Sequence, residues 1–124
     1  MSRSINDYLL ITHTPNGRNY PFLDCWGLVV DVYREMCGIT LDDHTDLTAE
    51  TMQEGFNSET GAGHFREVET PQNYDIVAFF LAKRLYHVGI YYEGRILHTS
   101  ERKNARFERI GPQTHRRFYR YVTN

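Results

Sequence analysis

Asp24-Cys25-Trp26-Gly27-Leu28-Val29-Val30-Asp31-Val32-Tyr33-Arg34-Glu35-Met36-Cys37-Gly38 is the most legible stretch of the chain. Asp24 is a good helix N-cap, because its carboxylate accepts from backbone N–H groups that have no partner within a helix. Behind it, Cys25, Leu28, Val29, Val32, Tyr33 and Met36 recur at the spacing of one helical face. Asp31, Arg34 and Glu35 fall on other faces, and Gly38 supplies the left-handed residue on which helices commonly stop. The spacing predicts a helix over residues 25–37 with Cys25 in its first turn.

Outward from this helix the signals are weaker on one side than on the other. Residues 4–12 suit one or two helical turns. Residues 14–21, with two prolines, two asparagines and a glycine, read as loop. Downstream, residues 40–73 are acidic and polar. A short helix fits residues 46–56, and residues 57–63 have the composition of a loop. The second half changes character. Residues 75–81 form a mostly apolar run that suits a strand buried on both faces. Residues 88–92 and 95–99 flank Glu93-Gly94, a two-residue hairpin loop. Residues 105–110 and 117–122, separated by Gly111-Pro112, make two further strands. A helix followed by an antiparallel meander is an α+β arrangement, and 124 residues suit one domain, residues 1–124.

Composition removes several functions. Apolar residues are 40% of the chain, with nine Tyr, seven Phe and one Trp, so a folded core is expected. The net charge of −2 argues against a dedicated nucleic-acid binder. The longest apolar run, residues 76–82, is far short of the roughly 20 residues of a membrane span, so no membrane insertion is expected. The polar start leads to no apolar stretch, and no signal peptide is expected. Cys25 and Cys37 stand about 18 Å apart on one helix by its rise, too far for a disulfide. No Cys-x-x-Cys or His-Glu-x-x-His is present, so no metal and no cofactor are expected.

The chemistry centres on Cys25. A thiol in the first turn of a helix meets unpaired N–H groups and the positive end of the dipole. Both favour the nucleophilic thiolate, which is expected to alkylate faster than Cys37 and to do so below about pH 7. Histidines supply a base. With Glu93-Gly94 as the loop, Tyr92 faces Arg95 and Gly89 faces His98. His87, Gly89 and Tyr91 then share a sheet face with Ile96, His98 and Ser100. His87 and His98 become diagonal neighbours, roughly 7–8 Å apart at the backbone, and Gly89 leaves room beside His98. Nucleophile, base and orienting group are the general form of such a site. His13, His44, His64 and His115 sit in polar contexts and are read as solvated. Arg116, Arg117 and Arg120 suit an acidic partner, but such charges are more commonly a solvated strand face, and they are read as one.

Together these blocks resemble the NlpC family of bacterial and phage cell-wall cysteine peptidases. Residues 24–29 resemble its nucleophile motif, and Val32-Tyr33-Arg34-Glu35 with Gly38-Ile39 its following helix. Tyr74-Asp75-Ile76-Val77 is similar to the strand entering its central sheet. His87-Val88-Gly89-Ile90-Tyr91-Tyr92 is similar to its histidine strand, and Ile96-Leu97-His98-Thr99-Ser100 to the strand of its third polar residue. The resemblance implies a papain-like core, with the catalytic helix packed on a central antiparallel sheet of about five strands. It implies Cys25 as nucleophile, His87 as general base and His98 as the residue that orients His87. Asp24, Trp26 and Tyr20 are implied as substrate-binding residues, Tyr20 standing closer to Cys25 than the family's upstream tyrosine. The implied substrate is a peptidoglycan stem peptide, cleaved between D-glutamate and the diamino acid. Many members carry a small residue after the cysteine; the form with Trp26 is similar to phage-tail members. The expectation is therefore a virion-tail enzyme made in the bacterial host cytoplasm, with other tail proteins as partners. The alternatives are a structural tail-tip protein with a vestigial site, or a delivered antibacterial amidase toxin.

Overall fold

The computed structural model of the protein describes residues 3–42, 44, 52–101, 103–111 and 116–122. A two-turn 3-10 segment, Ile5–Leu10, leads into three two-residue strands: β1 (Thr12–His13), β2 (Arg18–Asn19) and β3 (Phe22–Leu23). These form a small sheet in the order β1-β3-β2. Helix α1 (Cys25–Val32) follows and loosens into a π-type turn, Tyr33–Cys37, before Gly38 at φ 68°. The helical path thus covers the expected residues, although its last turn is not α-helical.

Helix α2 spans Met52–Gly61. This corrects the sequence reading in one respect: the helix runs on through residues expected to be loop. The start of the expected helix lies outside the described residues. The strands β4 (Phe65–Val68), β5 (Ile76–Leu81), β6 (Arg84–Tyr92), β7 (Arg95–Ser100), β8 (Lys103–Arg109) and β9 (Arg116–Tyr121) form the main sheet. Its order is β4-β9-β5-β6-β7-β8. The sheet has six strands and not five, because the short edge strand β4 was missed. Nor is it a simple meander: β9 returns across the molecule and inserts between β4 and β5, antiparallel to both.

The main core lies between α1 and the sheet. Leu28, Val29 and Val32 are fully buried and pack with Val88, Ile90 and Leu97. Each such side chain contributes roughly 1.5–3 kcal/mol by leaving water. The opposite sheet face carries a smaller cluster of Val77, Phe79 and Ile96. Strand β5 is therefore covered on both sides, as its unbroken apolar run predicts.

Two buried carboxylates correct the reading of the charged positions. Asp31 is 1% exposed, although the helical spacing placed it off the apolar face. The N-terminal segment covers it: Arg3 donates through Nε at 2.8 Å and Nη2 at 2.9 Å, and Tyr8 through its hydroxyl at 2.6 Å. Burial opposes the charge, but Arg3 and Tyr8 outweigh it and hold Asp31 below the usual carboxylate range. Asp75 is likewise buried and accepts from Arg120 Nε (3.1 Å) and Nη2 (2.8 Å). Arg120 is a partner of the core, not a solvated charge.

Candidate active site

Asp24 fixes the start of α1. Its carboxylate accepts from Gly27 N at 2.8 Å, Asn16 N at 2.9 Å and Arg18 Nη1 at 2.7 Å. The loop ahead of β2 is thereby tied to the first helical turn. Gly27 is required by that closeness, since a Cβ there would stand 2.0 Å from the Gly17 carbonyl oxygen. Trp26 donates from Nε1 to the Asp42 carbonyl at 3.0 Å and packs on His44 at 5.8 Å between rings.

Cys25 thus sits at the helix start, 7% exposed. The backbone N–H groups of Val88 and Trp26 point hydrogen bonds at its sulfur, which favours the thiolate. Burial and the negative charge of Asp24 outweigh them, and the thiol is pushed up to about 12. Desolvation thus opposes the thiolate that the helix terminus favours.

The hairpin has the expected register, with Tyr92 opposite Arg95, Tyr91 opposite Ile96 and Ile90 opposite Leu97. At the far end of β6, Phe79 faces His87 while Phe80 faces Leu85, so Tyr86 is the extra residue of a bulge beside His87. His87 and His98 emerge on one face, and His87 Nε2 lies 2.8 Å from His98 Nδ1. Phe79 packs on both rings, stacked at 5.6 Å on His98 and tilted at 5.0 Å on His87. Burial first, and neighbouring cationic groups second, lower His87 to about 3 and His98 to about 4. Both imidazoles are therefore neutral at neutral pH. With Nε2 of His87 engaged by His98, Nδ1 is the nitrogen available to take a proton.

A cleft of about 740 Å³ is lined by Cys25, His87 and His98 together. Asp24 and Trp26 also line it. Tyr20 does not: its hydroxyl donates to the Asp7 carbonyl at 2.7 Å, and Arg3 lies over its ring at 4.1 Å. It belongs to the packing of the N-terminal segment. Sequence reasoning missed four cleft residues. His13, read as solvated, is half-buried, contacts Thr99 Oγ1 at 3.2 Å, and is lowered by burial. Glu108 approaches His98 Nε2 at 3.3 Å, and Arg106 donates from Nε to Glu108 at 2.6 Å. Arg116 stacks over Phe79 at 5.1 Å, with Nε and Nη1 buried and without a hydrogen-bond partner. His44 is the partner of Trp26, His64 is exposed, and His115 lies outside the described residues. No group of three or more His, Cys, Asp or Glu side chains is placed to hold a metal among the described residues.

The sequence profile of the NlpC/P60 family matches residues 12–123. Among solved structures, the fold is similar to that of the NlpC/p60 domain of peptidoglycan hydrolase SagA. The TM-score is 0.53 and the identity 19%, over 76% of this chain and 73% of that one. No curated protein matches the sequence.

Proposed function

The chain belongs to the NlpC/P60 family, and from that premise we propose that it is a cysteine peptidase that hydrolyses the stem peptides of peptidoglycan. The observation that carries this is the shared cleft of Cys25 and the hydrogen-bonded His87–His98 pair. The neutral state of both partners sets the sequence of events. As the Cys25 sulfur attacks the amide carbon, its proton passes to His87 Nδ1. The carbonyl oxygen takes up negative charge, for which the backbone N–H of Cys25 itself, at the start of α1, is a suited donor. His87 then gives the proton to the leaving amine, and a thioester remains on Cys25. Water, deprotonated by His87, attacks the thioester, the carbon–sulfur bond breaks, and His87 returns the proton to the Cys25 sulfur as the carboxylate product leaves.

The bond between D-glutamate and the diamino acid is the reading we favour for the scissile amide. Arg116 supports a carboxylate-bearing substrate, since a guanidinium in a cleft wall with Nε and Nη1 unpartnered is suited to an anion. The form Asp-Cys-Trp-Gly-Leu-Val supports a place in a phage tail, assembled in the host cytoplasm with other tail proteins.

Digestion of purified peptidoglycan, with fragments identified by mass spectrometry, tests the reading. The wild-type protein should release peptides with a new D-glutamate terminus. Cys25→Ala should release none while losing roughly 1–2 kcal/mol of stability at most. Undiminished digestion by a folded Cys25→Ala protein would overturn the assignment.

A further inference from the structure

The base can work in only one of two proton arrangements. For His87 to accept a proton at Nδ1, its neutral ring must carry hydrogen on Nε2 and donate it to His98 Nδ1. His98 must then carry its own hydrogen on Nε2. In the opposite arrangement His98 donates from Nδ1, His87 holds its proton on Nδ1, and that nitrogen cannot take one from Cys25. The His87–His98 hydrogen bond at 2.8 Å is compatible with either. Something beyond the pair has to decide between them.

Strand β8 brings that element. Ile96 faces Glu108 and His98 faces Arg106 across the β7–β8 pairing, so Arg106 and Glu108 share the sheet face of His98. Glu108 Oε1 lies 3.3 Å from His98 Nε2. The nitrogen is buried and has no hydrogen bond of good geometry, so the contact acts through charge. Arg106, donating to Glu108, holds its carboxyl below the usual range, and the group is ionised. A carboxylate beside Nε2 attracts an N–H there and repels a lone pair. It therefore favours the productive arrangement and disfavours the other.

We propose that Glu108, held by Arg106, is a positioning residue that sets the tautomer of His98 and, through it, that of His87. The site is thus a chain of four, Cys25–His87–His98–Glu108, in which the last member touches no reacting atom. Arg106 has a second part: its positive charge beside His98 opposes an imidazolium there, so the carboxylate directs the proton without drawing a second one onto the ring. The charged or titratable groups facing the histidine pair are His13 from β1, Arg106 and Glu108 from β8, and Arg116 from β9. Among these, Glu108 is the acceptor in contact with Nε2.

The inference rests on the peptidase reading, and the test separates the two. The tautomer is read directly by nitrogen-15 NMR of the imidazoles, without turnover, in the wild type, Glu108→Ala and Glu108→Gln. In the wild type His98 should be protonated on Nε2. Glu108→Ala should give a mixture, and Glu108→Gln should give one too, because it keeps the shape of the side chain but removes the charge that sets the tautomer. Peptidoglycan digestion should fall roughly tenfold in kcat with little change in KM for both variants. Glu108 is 40% exposed on an edge strand, so the alanine variant is expected to fold. An unchanged tautomer in Glu108→Ala overturns the proposal, whatever its rate. A shifted tautomer with wild-type kcat also overturns it. A shifted tautomer in a protein whose wild type digests nothing supports the positioning role and instead sinks the peptidase reading.

Discussion

A Cβ on Gly89 would stand 2.9 Å from the Cβ of His98, and 3.0 Å from both Ile96 Cγ2 and the Leu97 carbonyl oxygen. The contact is with a side-chain root and a backbone atom, neither of which swings away. Gly89→Ala should therefore displace His98 from His87, with a stability loss of about 1–3 kcal/mol. Digestion should fall at least as far as in a His98→Ala variant at matched folding. Wild-type rates in Gly89→Ala would show that the spacing of the two rings is not critical.

Cys25 carries the next prediction. A thiol pushed up to about 12 exposes little thiolate near neutrality. Its alkylation by iodoacetamide should rise roughly tenfold per pH unit and still be climbing above about pH 9. Digestion should not follow that profile, because His87 is deprotonated down to about 3 and accepts the thiol proton within the reaction. Peptide mapping of alkylated protein, with Cys37 as internal reference, measures it. A labelling plateau below about pH 7 would mean a resting thiolate and would overturn the neutral-pair mechanism.

The same burial links the histidines to stability. Unfolded, His87 and His98 titrate near 6.5; folded, they titrate near 3 and 4. Between those values the unfolded state binds more protons, so stability rises with pH and is lost on acidification. The slope is about 1.4 kcal/mol per pH unit for each histidine. His13, also lowered, adds to it. Asp31 acts in the same direction but below its ordinary 3.8, outside the window from 4 to 6.5. Thermal unfolding from pH 7 to pH 4 should show a falling Tm. The doubly substituted His87→Gln, His98→Gln protein should show a shallower fall, and an identical fall would remove the histidines as its cause.

What the sequence made legible follows from range. Helix α1 and the β6–β7 hairpin depend on local rules, a repeating apolar face and a two-residue loop. From these the facing of His87 and His98 follows, and so does the role of Gly89. Strand β4 escaped because it is four residues long and only Phe65 is buried at its start. The place of β9 escaped because its pairing with β5 joins residues far apart in the chain. Asp31 fell off the apolar face, and helical spacing cannot foresee that Arg3 and Tyr8 cover it. Tyr20 suited a motif but packs elsewhere. Glu108 carries no sequence signal, and Arg116 stands out only as one of several clustered arginines, since each gains its setting from strand register.

Arg116 leads to a test in which binding and stability move apart. Its Nε and Nη1 are buried without partners, next to the ring of Phe79 and in the wall of the cleft that holds Cys25. Removing a hydrogen-bond partner from a buried charge destabilises a protein, but removing the unpaired charge itself relieves a cost. Methionine keeps much of the length and the contact with Phe79, and forfeits a cation–π attraction of about 0.5–1 kcal/mol. Arg116→Met should therefore stay within about 1 kcal/mol of wild-type stability. If the guanidinium meets a substrate carboxylate, the variant should show a KM raised roughly tenfold or more with kcat nearly unchanged, the pattern of lost uniform binding. Arg116→Lys should recover only part, because an ammonium lacks the planar fork. Steady-state digestion of soluble stem peptides, with and without a free carboxylate on the D-glutamate, decides it. An unchanged KM for the carboxylate-bearing peptide would leave Arg116 out of substrate recognition.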